Sequence, residues 1–187
     1  MLWDDFLNSV HHDWRGDGAA EDRLDDSDWL DAWMDKQQLV VDHRPTAKDI
    51  TSLKRLRALL HRMAKSFVDN SRPAVEDIVM LNEIMADGAV IRTLSADDDG
   101  YRIKLSPIGK QWTNLEAEIA ASFSRMLTDN EPSRIRICDN PNCLWVYYDD
   151  TRNRSKRYCD DKMCGNLMKV RRFRARKKAE SSSNNTN

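Results

Sequence analysis

The chain has 187 residues, 40% of them hydrophobic and 33% charged, with a formal net charge of −1. That length suits one ordinary domain, or a domain with a small module, burying roughly 70% of its unfolded surface. No apolar run reaches the ~18–20 residues of a membrane span, and the acidic opening MLWDDFLNSV does not read as a secretory signal. We therefore expect a cytoplasmic protein with no membrane partner.

The near-neutral total hides a division. Residues 1–133 carry 16 Lys and Arg against 25 Asp and Glu, a net of −9. Residues 134–178 carry 14 against 5, a net of +9. An acidic part joined to a basic one points to a polyanionic partner for the basic part. The plain alternative is that the two parts neutralise each other by docking.

In chain order, Trp3, Phe6, Leu7 and Val10 stand at helical offsets and predict a short helix ending near His11 and His12. After an Asp- and Gly-rich loop, Ser27 reads as an N-cap, with Asp28 and Asp31 in the first turn of a helix bearing Trp29, Leu30, Trp33 and Met34. Thr46 and Asp49 form a capping pattern ahead of the stripe Ile50, Leu53, Leu56, Leu60, Met63 and Phe67. Pro73 suits the start of a further helix with Val75, Ile78, Leu81 and Met85 facing inward. The period then changes. Ala89 to Leu94 and Tyr101 to Leu105 alternate as strands around the turn Asp97-Asp98-Asp99-Gly100, which predicts a β-hairpin. Ser106-Pro107 reads as the start of a long helix through Trp112, Leu115, Ile119, Phe123 and Met126, ending at Asn130 to Ser133.

The chemistry is concentrated in the cysteines. Cys138, Cys143, Cys159 and Cys164 follow the spacing C-x4-C-x15-C-x4-C within 27 residues. Two close pairs at such a separation are the pattern of a structural zinc site, each pair giving two thiolates from one knuckle. Four thiolates leave no open position for a catalytic water, and zinc so bound organises a module too small to form a core alone. Disulfides and an iron–sulfur cluster are the competing readings; the first needs an oxidising compartment, and the symmetric spacing favours zinc over the second. Around the ligands we expect strands at Arg134–Ile137 and Leu144–Tyr148. Asp160 or Asp161 should cap a helix beginning near Met163, so that Cys164 ligates from its first turn.

The stretch DNPNCLWVYYDDTRNRSKRYCDDKMCGN, followed by a Lys/Arg-rich helix, resembles the CGNR zinc-finger family of bacterial proteins. The acidic half is similar to the ABATE domain that precedes this finger, through FLNSV at Phe6–Val10, the Leu24 to Trp33 stretch and the Leu53 to Leu60 helix. One departure is clear: the eponymous Arg of the family is Leu167 here, so the motif reads CGNL. The resemblance implies a transcription regulator whose finger binds DNA.

The basic helix can be weighed on its own residues. On a helical wheel Lys169, Arg172 and Arg176 share one face, while Cys164, Leu167, Met168 and Ala175 share another. Cations are favoured near a helix C-terminus, but that accounts for two or three, not the seven between Lys169 and Lys178. With Arg152, Arg154, Lys156 and Arg157 in the finger, and Arg174 beside them on the helix, the density suits phosphate contacts. RNA is the alternative if Tyr147, Tyr148 and Tyr158 are exposed to stack bases. Enzyme readings are weak: residues 134–178 hold no histidine, and neither a Gly-rich phosphate loop nor a nucleophile motif is present. His11-His12-Asp13 supplies no fixed ligand spacing for a second metal.

The expectation is an α+β chain. Residues 1–130 form a mostly helical, acidic domain with one β-hairpin, 134–178 a basic finger holding one structural zinc, and 179–187 a disordered tail. The finger and its helix contact DNA, while the N-terminal domain receives a small-molecule or protein effector, with Trp29, Trp33 and Trp112 as a candidate apolar pocket. RNA binding and a protein-interaction adaptor are the alternatives.

Overall fold

Thr46 opens the longest helix of the computed structural model, which describes residues 1–16, 18–98 and 100–184, with side chains through Ser181. Its hydroxyl accepts from the Asp49 amide while the Asp49 carboxylate accepts from the Thr46 amide, so two orphan N–H groups are satisfied reciprocally. The helix, α3 (Ala47–Val68), buries Leu53, Leu56, Leu59, Leu60, Met63 and Ala64 on one stripe. Each large side chain so buried contributes about 1.5–3 kcal/mol relative to exposure.

The chain divides into two units, residues 1–10 with 22–133, and residues 11–21 with Arg134 onward. In the first, α1 (Leu2–Leu7) and α5 (Trp112–Asp129) complete the core with α3. Trp3 meets Phe123 edge to face at 5.7 Å, and both are fully buried. Helix α2 (Ser27–Gln37) is capped by Asp26, whose carboxylate accepts from the amides of Asp28 and Trp29. Ser27 is therefore the first helical residue rather than the cap: either side chain could cap, and the aspartate one residue earlier has taken the role. Arg57 of α3 ties Asp22 with a bidentate pair at 2.6 and 2.7 Å and also donates to Ser9.

Two further expectations shift. Helix α4 (Val75–Ala86) buries Leu81 only, with Met85 half-buried, whereas Val75 and Ile78 are exposed. Apolar residues surround this helix on all sides, so periodicity could not choose the inner face; α5 packs against the Leu81 side. The hairpin of β3 (Val90–Asp97) and β4 (Gly100–Pro107) is longer than the alternation indicated, and β4 runs through Pro107. The last helix of the unit accordingly starts at Trp112, behind a Gln111/Asn114 capping box, not at Ser106.

In the second unit, β5 (Ile135–Ile137) and β6 (Val146–Tyr148) pair antiparallel, with Ile135 opposite Tyr148. Asp160 caps a wide turn, Asp161–Gly165, that runs into α6 (Asn166–Asn184). Helix α6 continues through 179–184, where low-complexity composition led to an expectation of disorder; the helix propensity of the Lys/Arg run carries it on, and 185–187 lie outside the described residues. Two two-residue strands, β1 (Val10–His11) and β2 (Glu21–Asp22), pair at the ends of the 11–21 excursion.

Candidate metal centre and basic helix

The two knuckles owe their shape to backbone hydrogen bonds. The Cys138 amide donates to the Trp145 carbonyl and the Cys143 amide to the Asn140 carbonyl, closing the first loop, in which Leu144 takes the left-handed conformation at φ 55°. The Asp139 amide donates to the Arg157 carbonyl and carries the second pair towards the first. Cys164 sits in the wide turn capped by Asp160. The regular helix begins at Asn166 rather than near Met163, so Cys164 lies in the capped turn just ahead of it.

As a result the four sulfurs lie within 4.8 Å of one another. Cys143 Sγ is 3.6 Å from Cys159 Sγ, and Cys159 Sγ is 3.9 Å from Cys164 Sγ. A tetrahedron with Zn–S bonds of about 2.3 Å has S···S edges of about 3.8 Å. The four sulfurs are unbonded, and separations of 3.6 and 3.9 Å suit ligands of one ion rather than a disulfide at about 2.05 Å. Three are buried and Cys159 is half-buried.

The electrostatics point the same way. Donation from the thiols of Cys143 and Cys159 holds Cys138 down to about 2, and those two rise in turn, Cys143 to about 12 and Cys159 further still. One thiolate forms readily, and each further one would face its negative charge. Only a bound cation lets all four ionise, so the donor set fits one structural zinc.

The surrounding shell was not legible in the sequence. Asn140 is fully buried, and its Nδ2 donates to the Trp14 carbonyl at 2.8 Å and to Cys164 Sγ at 3.4 Å. Trp14 and Trp145 pack against the cluster of Cys138, Cys143, Tyr147, Tyr158 and Cys164. Residues 11–21 are therefore part of the finger's unit, although more than a hundred residues separate them from it in sequence. Gly16 shows how close the segment lies: at φ 88°, a Cβ there would stand 2.3 Å from Asn142 Nδ2. The Asn-Pro-Asn run at 140–142 was a turn signal, but nothing in the spacing pointed back to Trp14. His11 and His12 line a cavity of about 370 Å3 with Trp14, Trp145 and Met163 beside the thiols.

Asp149, also fully buried, organises the loop that follows β6. Its carboxylate accepts from the Thr151 amide at 2.9 Å, the Thr151 hydroxyl at 2.5 Å and the Lys156 amide at 3.1 Å. Burial alone would raise its pKa, yet these bonds outweigh it and hold the group below the usual carboxylate value.

The basic residues fall into two sets. Lys169, Arg172 and Arg176 line one groove of about 900 Å3 with Tyr158, Asp161, Gly165, Asn166 and Ala175. Arg172 donates from Nη2 to the Tyr158 hydroxyl at 2.6 Å. Arg152, Arg154, Arg174 and Arg176 are exposed. In the other set, Lys156 lies over the Tyr147 ring at 5.3 Å, and Arg157 pairs with Asp139 at 2.7 Å. Arg171 donates to the Arg15 carbonyl at 2.5 Å. Tyr147 and Tyr158 are buried in the module, and the Tyr147 hydroxyl donates to the Lys156 carbonyl at 2.8 Å. Neither ring is free to stack on a base; Tyr148 is half-buried. Leu167, in place of the family's Arg, is half-buried as well.

Trp29, Trp33 and Trp112, expected around one pocket, fall into two places among the described residues. Trp29 stacks on Trp33 at 5.9 Å, whereas Trp112 lines a separate space of about 260 Å3 with Asp31, Met34 and Val41 and donates its indole N–H to the His43 carbonyl.

Comparison with known families fits this geometry. A model for the CGNR zinc finger matches residues 134–177, and the ABATE model, described as “Putative stress-induced transcription regulator”, matches residues 2–130. The chain belongs to the ABATE family. Its CGNR finger holds the four-cysteine site at the C-terminal end. No curated protein matches the ABATE chain. Among its described residues, no helix is long and apolar enough to cross a membrane. Residues 11–21 fall inside the ABATE match yet belong to the finger's unit.

Proposed function

We propose that this ABATE–CGNR chain is a bacterial, cytoplasmic, non-enzymatic transcription regulator that contacts duplex DNA through its finger and α6. The observation that carries the reading is the groove in which Lys169, Arg172 and Arg176 stand on one helix face beside the zinc module. Successive turns of such a face meet successive phosphates, and exposed Arg152, Arg154 and Arg174 extend the basic surface. The zinc is structural in this account: it fixes Cys164 at the helix start and thereby aims α6.

Duplex DNA is favoured over single-stranded RNA because Tyr147 and Tyr158 are spent inside the module. The ABATE unit then receives the signal, a small molecule or a protein, and the stacked Trp29 and Trp33 and the separate Trp112 space are tested independently. The experiment is competition binding of the zinc-loaded full chain to duplex DNA and to single-stranded RNA of the same sequence, together with sequencing of DNA cross-linked to the protein in cells. Preference for the duplex and recovery of discrete loci are expected. Tighter RNA binding overturns the reading, and so does binding to neither, which leaves the finger as a protein-interaction adaptor.

A further inference from the structure

The hairpin β3–β4 is two-faced, and its register says which residues share a side. Opposed pairs lie on one face and successive pairs alternate. Arg92 opposite Leu105, Leu94 opposite Ile103 and Ala96 opposite Tyr101 form one face; Thr93 opposite Lys104 and Ser95 opposite Arg102 form the other. The second face is polar but for Ile91, which stands opposite Ser106 near the end of the hairpin away from the turn. The first is apolar but for Arg92, and it is open to solvent: Tyr101 is 82% exposed, Leu94 67% and Ile103 62%. Among the described residues, β3 and β4 pair only with each other. A two-stranded hairpin is marginal in water without a covering layer.

Helix α4 presents a second apolar stripe of the same kind. Val75, Val79 and Ala86 fall within about 40° of arc on its outer side, and all are exposed, Val75 by 70%. Asn82 lies between this stripe and Ile78 on one side, and Glu76 and Glu83 flank it on the other. One surface is apolar with a single cation, and the other is apolar with a flanking pair of anions.

We infer that two copies of this chain dimerise by laying the apolar face of each β3–β4 hairpin across α4 of the other copy, with Arg92 meeting Glu76 and Glu83. Both surfaces belong to one chain, so a single two-fold axis satisfies each twice. A stable standard interface takes about 800 Å2 from each partner, so the dimer uses both surfaces and not the hairpin face alone. The inference stands independently of the DNA reading, since it concerns only the ABATE unit.

The test is the molar mass of the zinc-loaded full chain at tens of micromolar, by light scattering or sedimentation, for three proteins and one mixture. The wild type is expected at twice the chain mass. Arg92→Glu places like charges together at both contacts, and Glu76→Arg with Glu83→Arg does so with the opposite sign. Each variant alone should weaken dimerisation more than tenfold. Mixed, the two variants restore opposite charges at both contacts, so a heterodimer of wild-type strength should form. All substituted positions are exposed, and far-UV circular dichroism checks that the variants fold. A wild type at single-chain mass overturns the proposal. A dimer indifferent to both variants, or two weakened variants that mixing does not restore, overturns it equally.

Discussion

Asn140→Ala isolates what the shell around the thiolates contributes. The side-chain amide makes three bonds that alanine cannot: it donates to the Trp14 carbonyl at 2.8 Å and to Cys164 Sγ at 3.4 Å, and its Oδ1 accepts from the Asn142 amide at 3.3 Å. Donation to a thiolate offsets the like-charge repulsion of the four sulfurs, and losing such an outer partner typically costs about 10–100-fold in metal affinity. That corresponds to about 1.4–2.7 kcal/mol. The bond to Trp14 has a separate consequence: it holds the 11–21 segment on the finger, and its loss leaves a buried carbonyl at a cost of about 1–3 kcal/mol. Competition with a chromophoric chelator reads the first effect, and protease cleavage within 11–21 reads the second. Asn140→Asp separates them further, because a carboxylate restores volume but sets an acceptor against Cys164. Zinc affinity and cleavage both unchanged in Asn140→Ala would refute the assignment of the shell.

Cys159→Ser removes one corner of the tetrahedron and should release the zinc and unfold the finger, read as loss of bound metal and of Trp145 burial by fluorescence while the ABATE helices persist by circular dichroism. Glu116 is buried, which raises its pKa above the ordinary 4.5 despite the hydrogen bond from Ser52. Its folded state therefore disfavours the charge, and stability falls as pH rises through the raised folded value; Glu116→Gln should raise the thermal midpoint at pH 8 and change it little at pH 4. Asp149 has the opposite sign: its folded pKa lies below the ordinary 3.8, so its stabilisation is present above that value and fades as pH falls through the folded one. Asp149→Asn should destabilise the zinc-loaded finger by about 1–3 kcal/mol at neutral pH, measured by denaturant unfolding.

Much of this was readable beforehand because it is local. The Thr46/Asp49 box and the 3.6-residue stripe of α3 act within one element, and so does the cysteine spacing that builds the two knuckles. The errors have physical causes. Capping at Asp26 against Ser27 is a contest between adjacent side chains of similar strength. The inner face of α4 differs from the expectation because apolar residues recur on every side of this helix between Glu76, Asp77, Asn82 and Glu83, so the pattern carries little directional signal. Asn140 and the Trp14 segment escaped notice because a tertiary contact between positions so far apart leaves no periodicity. Composition put disorder in the tail, whereas the basic run continues α6 through Asn184.

The salt dependence of DNA binding by the zinc-loaded full chain, with and without Lys169→Ala, Arg172→Ala and Arg176→Ala together, tests the central claim most directly. With about five to seven phosphates neutralised, log affinity should fall against log salt with a slope of about −4 to −6. The triple variant should flatten that slope by about two to three and keep its zinc, because the three side chains line the groove and not the thiolate cluster. A triple variant that binds with the wild-type slope would contradict the account.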